Sequence, residues 1–240
     1  MFDAHCHLET VPNLAAVLAS CRAKLNGIIT CGYDLTSSMK NAEIANSNKT
    51  FVWAAGGLAP QYVMKLNEVE VAGVLSYLRE NADLFVAIGE IGLDYKWAKS
   101  EEERKKQKTA FEMQIALANE LQKPVVIHSR GAESECVELL LAARCEKVQL
   151  HCFSGTAELA KRAAAAGFFI SIPPLRAKER KKAVKSLELD YLLAESDAPA
   201  IGKDPLACLA GAEMIAEEKG MERSEVELVL EQNTRRLFGL

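Results

Sequence analysis

Short apolar, often β-branched runs alternate along the chain with longer segments whose apolar positions recur every three or four residues. The first pattern predicts strands and the second amphipathic helices. Strand one spans Met1 to His7. A helix follows on Leu14, Val17, Leu18, Cys21 and Leu25, with Pro12 suiting its first turn. Gly27 to Cys31 is strand two, and a helix follows over Leu35 to Asn46. Phe51 to Ala55 is strand three, running into Gly56-Gly57-Leu58-Ala59-Pro60. Asn67 with Glu70 makes a capping box for a helix carrying Val71, Val74, Leu75 and Leu78.

Strand four is read over Leu84 to Ile88. The long polar segment from Glu101 to Gln122 is a helix with Phe111, Ile115, Ala118 and Leu121 on its buried side. Pro124 to His128 is strand five, continuously apolar up to the histidine, as befits a parallel strand buried on both faces. A helix with Val137, Leu140 and Leu141 leads to strand six, Val148 to His151. An alanine-rich helix, Ala157 to Ala166, stops at Gly167. Strand seven is Phe168 to Ile172, a basic helix covers Ala177 to Leu187, and strand eight is Tyr191 to Asp197. Asp204-Pro205 opens a helix that Gly220 ends, and Ser224 with Glu227 is read as the capping box of the last helix. Eight strand–helix units imply parallel strands with right-handed crossovers. They close most naturally into a (β/α)8 TIM barrel occupying residues 1–240 as one domain.

Composition narrows the class. Of 240 residues, 49% are hydrophobic, enough for a large core; the formal net charge is -4, and no stretch reads as a polybasic tail or an acidic arm. No apolar run approaches the ~18 residues of a membrane span, so no membrane association is expected. Seven cysteines without a CxxC pair argue against a disulfide framework. The first histidine lies within a few residues of Met1, leaving no room for a leader, so a cytoplasmic protein is expected.

The polar residues carry the chemistry. The chain has four histidines, His5, His7, His128 and His151, and each ends a predicted strand. Glu90 and Asp197 do the same. Strand ends converge on the catalytic mouth of a barrel. Two divalent ions sharing a carboxylate, as in two-metal hydrolysis, want such a set. One ion is assigned to His5, His7 and Asp197 with Glu90 bridging, the second to Glu90, His128 and His151. Asp197 is also placed to accept a proton from the attacking water. Arg130, two residues after the strand-five histidine, suits phosphate oxygens; Arg176 and Lys178 follow strand seven, where barrels often bind phosphate, and Arg180, Lys181 and Lys182 extend that charge. Glu195 shares strand parity with Asp197 and is read as a partner orienting a ligand. Cys6 and Cys152 adjoin ligands but alternate away from them, as packing residues.

These stretches resemble the TatD family of metal-dependent hydrolases, within the amidohydrolase-like barrels. The matching segments are Asp3-Ala4-His5-Cys6-His7-Leu8, Gly89-Glu90-Ile91-Gly92-Leu93-Asp94-Tyr95 and Pro124-Val125-Val126-Ile127-His128-Ser129-Arg130. They continue with His151-Cys152-Phe153-Ser154-Gly155, Glu195-Ser196-Asp197-Ala198-Pro199 and Asn233-Thr234-Arg235-Arg236-Leu237-Phe238. The resemblance implies a barrel with one or two divalent ions (Zn, Mn, Mg or Fe) and deoxyribonuclease or phosphodiesterase activity. The implied substrate is DNA or a small phosphodiester, with no obligate protein partner. One departure stands out. Where the family carries Gly-x-His-Pro, this chain has Gly57-Leu58-Ala59-Pro60. That keeps open hydrolysis of a non-nucleic ester, amide or small phosphate, and a metal-bound protein without turnover.

Overall fold

The computed structural model describes residues 1–240. The strands are β1 (Phe2–Cys6), β2 (Gly27–Cys31), β3 (Val52–Gly56), β4 (Ala87–Asp94), β5 (Val125–Arg130), β6 (Val148–Leu150), β7 (Phe169–Ile172) and β8 (Leu192–Ala194). They form one parallel sheet in sequence order, each paired with the next. The amide of Asp197 donates to the carbonyl of His5 (2.9 Å), and that of His7 to the carbonyl of Ala198 (2.8 Å). These two bonds draw the segment after β8 against β1 and complete a nearly closed barrel, as the alternating pattern predicts.

Ten helices surround it: α1 (Leu14–Arg22), α2 (Leu35–Ser47), α3 (Pro60–Val63), α4 (Glu68–Glu80), α5 (Glu101–Glu120), α6 (Glu133–Ala142), α7 (Ala157–Ala165), α8 (Lys178–Ser186), α9 (Cys208–Lys219) and α10 (Arg223–Phe238). Local chemistry sets their ends. Asn67 and Ser100 form reciprocal capping boxes with Glu70 and Glu103. Gly220 ends α9 in the left-handed conformation that favours glycine.

Two sequence expectations fail at helix starts. Ser224 and Glu227 make no capping box; α10 begins at Arg223, two residues earlier than a Ser224 cap implies, with Glu222 at its N-cap and no side-chain cap. Glu227 is taken instead by Arg223, 2.6 Å away within the same helix. Pro12 lies outside α1, whose N-cap Asn13 adopts the left-handed region at φ 53°. The chain turns sharply there before the helix begins.

Strand β4 differs most from expectation. It begins at Ala87 and runs to Asp94, with a register shift against β5 between Ile88 and Ile91. Leu84 falls instead in a 3-10 turn before the strand. Glu90 therefore lies inside a strand rather than beyond its end. β8 is shorter than expected, and Glu195, Ser196 and Asp197 leave the sheet.

The barrel packs in layers. Ala4, Ile29, Cys31, Ala55, Ala87, Val126, Phe169 and Leu193 form an inner apolar layer, against which Leu237 and Phe238 of α10 pack. On a strand, the residue two positions along returns to the same face. Val126 is thus followed by His128, Phe169 by Ser171 and Leu193 by Glu195. An apolar floor gives way, one layer up, to a polar chamber. A separate, larger apolar cluster packs the helices on the outside of the sheet.

Candidate metal centre

The six side chains singled out from the sequence as ligands meet in this chamber. His5, His7, Glu90, His151 and Asp197 are buried and His128 nearly so. Glu90 sits between two sets of donors. Its Oε2 lies 3.4 Å from His7 Nε2 and 3.7 Å from His5 Nε2. Its Oε1 lies 2.7 Å from His128 Nδ1 and 3.5 Å from His151 Nε2. Asp197 Oδ1 closes the first set, 3.5 Å from His7 Nε2 and 3.7 Å from His5 Nε2.

Donors ~2.1 Å from an ion stand ~3.4 Å apart in a tetrahedral set. The first set matches that spacing, including the 3.3 Å between the Nε2 atoms of His5 and His7. Three overlapping trios have their donor atoms within 4.8 Å of one another: His5, His7 and Glu90; His5, His151 and Asp197; and Glu90, His128 and His151. Imidazole nitrogens and carboxylate oxygens gathered in a buried space suit a divalent cation.

The rings are held from behind. His7 Nδ1 lies 2.8 Å from the carbonyl of Cys31. A carbonyl only accepts, so Nδ1 carries a proton and Nε2 is the nitrogen that faces the centre. His151 Nδ1 lies 3.2 Å from Glu195 Oε1, and its ring stacks on that of His5 at 3.9 Å. Glu195 is fully buried and saturated: it also accepts from the Cys152 amide (2.6 Å), Ser171 Oγ (2.5 Å) and Gln149 Nε2 (3.4 Å). The Cys152 amide points back at Glu195 from a residue at φ 45°. Glu195 thus orients His151, as its strand parity predicts.

Asp94 was not singled out in the sequence beyond its place in the Gly89–Tyr95 stretch. Its Oδ2 lies 2.8 Å from His128 Nε2, so His128 is bracketed by Glu90 and Asp94. The Asp94 amide is in turn held by Gln107 Oε1 of α5 at 2.9 Å. Gln107 and Gln114 are fully buried polar residues on that helix. Gln114 bonds both the amide and the carbonyl of Leu58 (2.8 and 3.0 Å). The helix read as simply amphipathic therefore fastens two loops of the mouth. Asp3 stays out of the cluster; its carboxylate accepts from the amide and hydroxyl of Ser196 (2.8 and 2.6 Å), tying β1 to the segment after β8. Of the two cysteines read as packing residues, Cys6 is buried, whereas Cys152 is only half-buried.

Charge in the chamber is strongly coupled. Burial alone would raise Glu90, but His151, His128 and His5 hold its carboxyl well below the usual range. Burial would likewise lower His128, yet the hydrogen bonds to Asp94 and Glu90 outweigh it and push the ring up to about 10. His7 rises to about 9 against the same burial, through Asp197 and Glu90. His5, fully buried and surrounded by other rings, is lowered, and its Nδ1 has no partner. Carboxylates that pull protons onto neighbouring rings attract any cation placed among them.

The expected basic residues divide. Arg130 ends β5 and is exposed, with no side-chain partner. Arg176 is clamped by Glu217 through two bonds of 2.6 and 2.8 Å, so its charge is spent at the surface. Lys181 and Lys182 are paired with Glu218 and Glu179. Arg180 is buried, and its guanidinium donates to the carbonyls of Phe153 (3.2 Å) and Leu175 (2.6 Å). Ala59 is fully buried at the N-cap of α3. Beside it Tyr33 and Tyr62 stack at 4.7 Å, with Tyr33 against His7 at 5.6 Å.

The family model for TatD related DNase matches residues 2–239. The chain is 33% identical to the uncharacterized metal-dependent hydrolase YabD of Bacillus subtilis, covering 99% of this chain and 98% of that protein. It is 32% identical to human deoxyribonuclease TATDN3, over 99% of this chain and 94% of the relative. It is also 32% identical to the 3'-5' ssDNA/RNA exonuclease TatD of Edwardsiella piscicida, over 91% and 90%. The crystal structure of YJJV, a TatD homolog from Escherichia coli, superposes with a TM-score of 0.86 at 25% identity, over 100% of this chain and 98% of that one. No helix is long and apolar enough to cross a membrane.

Proposed function

The chain belongs to the TatD-related DNase family of metal-dependent hydrolases, and from that premise we propose that it hydrolyses phosphodiester bonds in DNA. The observation that carries this reading is the division of labour within Glu90, whose two oxygens face two different sets of donors. His5, His7 and Asp197 would hold one divalent ion, His128 and His151 the other, with Glu90 shared between them. The nitrogen-rich set favours Zn, Mn or Fe over Mg. Ions bound there supply Lewis acidity toward phosphoryl oxygens and water. Asp197 takes the proton of the attacking water. Glu195 and Asp94 keep the His151 and His128 rings aligned, so that no reorientation is needed during reaction. Arg130, at the end of the strand that carries His128, receives phosphate oxygens as a planar fork.

Relatives named as deoxyribonucleases weigh against a non-nucleic ester or amide as substrate. The full set of six donor side chains weighs against a protein without turnover. The test is hydrolysis of end-labelled DNA and of a generic phosphodiester by the purified protein, with Mg, Mn and Zn titrated in turn. DNA cleavage that a chelator abolishes supports the reading. DNA left intact while a small carboxylic ester is hydrolysed overturns it.

A further inference from the structure

One group of side chains at the mouth takes no part in the metal centre. Beyond Asp94 the chain turns tightly, and Asp94 Oδ1 accepts the amides of Lys96 (2.9 Å) and Trp97 (3.1 Å). The other oxygen of the same carboxylate holds His128. Asp94 therefore fixes this turn and a ring of the centre together. On the turn, the Trp97 side chain is 59% exposed. The stem of Lys96 crosses to the neighbouring strand end: a Cβ on Gly131 would lie 3.5 Å from its Cε and 3.7 Å from its Cδ. Gly131, at φ 71°, directly follows Arg130.

Neither Lys96 nor Arg130 has a carboxylate within ion-pair distance. Arg79, Lys108, Arg162 and Arg176, by contrast, are each paired with a glutamate. Two unpaired cations on adjacent strand ends, beside an exposed indole, form an anion-attracting patch on a chain of net charge -4. An aromatic face stacks on any base, but only on one that is not already stacked in a duplex.

Resting on the reading above, we propose that Trp97, Lys96 and Arg130 form a nucleotide subsite for single-stranded nucleic acid. The indole receives the face of a base next to the cleaved bond, and the two cations receive the phosphates flanking it. The turn is rigid because the carboxylate that aligns His128 also holds it, so the subsite is fixed relative to the centre. A duplex presents no free base face there and gains only the phosphate contacts.

The test uses metal-loaded protein and a fluorescein-labelled phosphorothioate oligothymidylate that resists cleavage, with affinity read by anisotropy. Trp97→Ala weakens binding by about 5- to 100-fold, the range of one base–aromatic stack, while Trp97→Phe stays within about threefold of wild type. Lys96→Gln and Arg130→Gln each reduce the salt dependence of binding by about one counterion. Binding to a blunt hairpin of the same length falls much less in Trp97→Ala. Wild-type affinity in Trp97→Ala, or an equal loss in Trp97→Phe, overturns the subsite. If wild type cleaves DNA yet Trp97→Ala binds unchanged, only the subsite falls. If wild type neither binds nor cleaves the unmodified strand, the parent reading falls with it.

Discussion

The carboxylate of Asp94 meets Nε2 of His128 at 2.8 Å, on the side of the ring away from Glu90. One imidazole is thus gripped by two carboxylates, and its orientation does not depend on a bound ion. Replacing Asp94 by Asn keeps a hydrogen bond but removes the charge. Changes to residues that orient metal ligands cost about 10- to 100-fold in metal affinity or activity. Asp94→Asn is expected to lower kcat/KM within that range and leave the fold intact, as judged by circular dichroism. Unchanged kinetics would remove Asp94 from the positioning of His128.

His128 also sets a proton balance. Coordination requires a neutral ring nitrogen, and the flanking carboxylates raise this ring to about 10. A raised value means the proton is held through neutral pH and is lost only as pH climbs toward 10. Loading a divalent ion should therefore release protons, and apparent affinity should tighten with rising pH. Calorimetry in buffers of different ionisation enthalpy measures the proton count. Uptake of the ion without proton release would contradict the bracketed arrangement.

Glu195 is the hub behind His151. Glu195→Ala leaves Ser171 Oγ, the Cys152 amide and His151 Nδ1 without their buried acceptor. Each stranded group costs on the order of 1–3 kcal/mol. The variant should melt well below wild type, by roughly 5 °C or more for a chain of this size. Glu195→Gln, which keeps an acceptor oxygen, should recover part of the loss.

The barrel is legible in the sequence because parallel strands buried on both faces leave continuous apolar runs, and because each histidine closes such a run. His5, His128 and His151 meet for that reason. Glu90 meets them even though strand β4 carries it past the end read from the sequence. What is illegible is non-local. The grip of Asp94 on His128 spans two strands, and the four bonds of Glu195 come from β6, β7 and the turn between them, so no spacing rule reveals either. Gln107 and Gln114 sit on a helix whose polar residues read as solvent-facing, until the mouth loops supply their partners. Arg176 reads as a phosphate ligand because its glutamate partner lies far along the chain, in α9.

Ala59 shows how the site tolerates a missing side chain. It is 0% exposed, its amide donates to the carbonyl of Tyr33 (2.9 Å), and the Tyr33–Tyr62 stack stands beside it. An imidazole added there must displace neighbours, and overpacking of this kind costs about 1–3 kcal/mol. Ala59→His is expected to lower Tm by roughly 3–10 °C and bring no gain in DNA cleavage. A higher nuclease rate at unchanged Tm would contradict this.

Glu90 faces both sets of donors at once, so its removal reaches both. The most direct measurement is elemental analysis of purified wild type and Glu90→Ala, paired with a DNA cleavage assay on the same samples. The wild type should carry divalent metal and cleave DNA, and the variant should lose most of both. Full metal content and undiminished turnover in Glu90→Ala would contradict a centre built around this carboxylate.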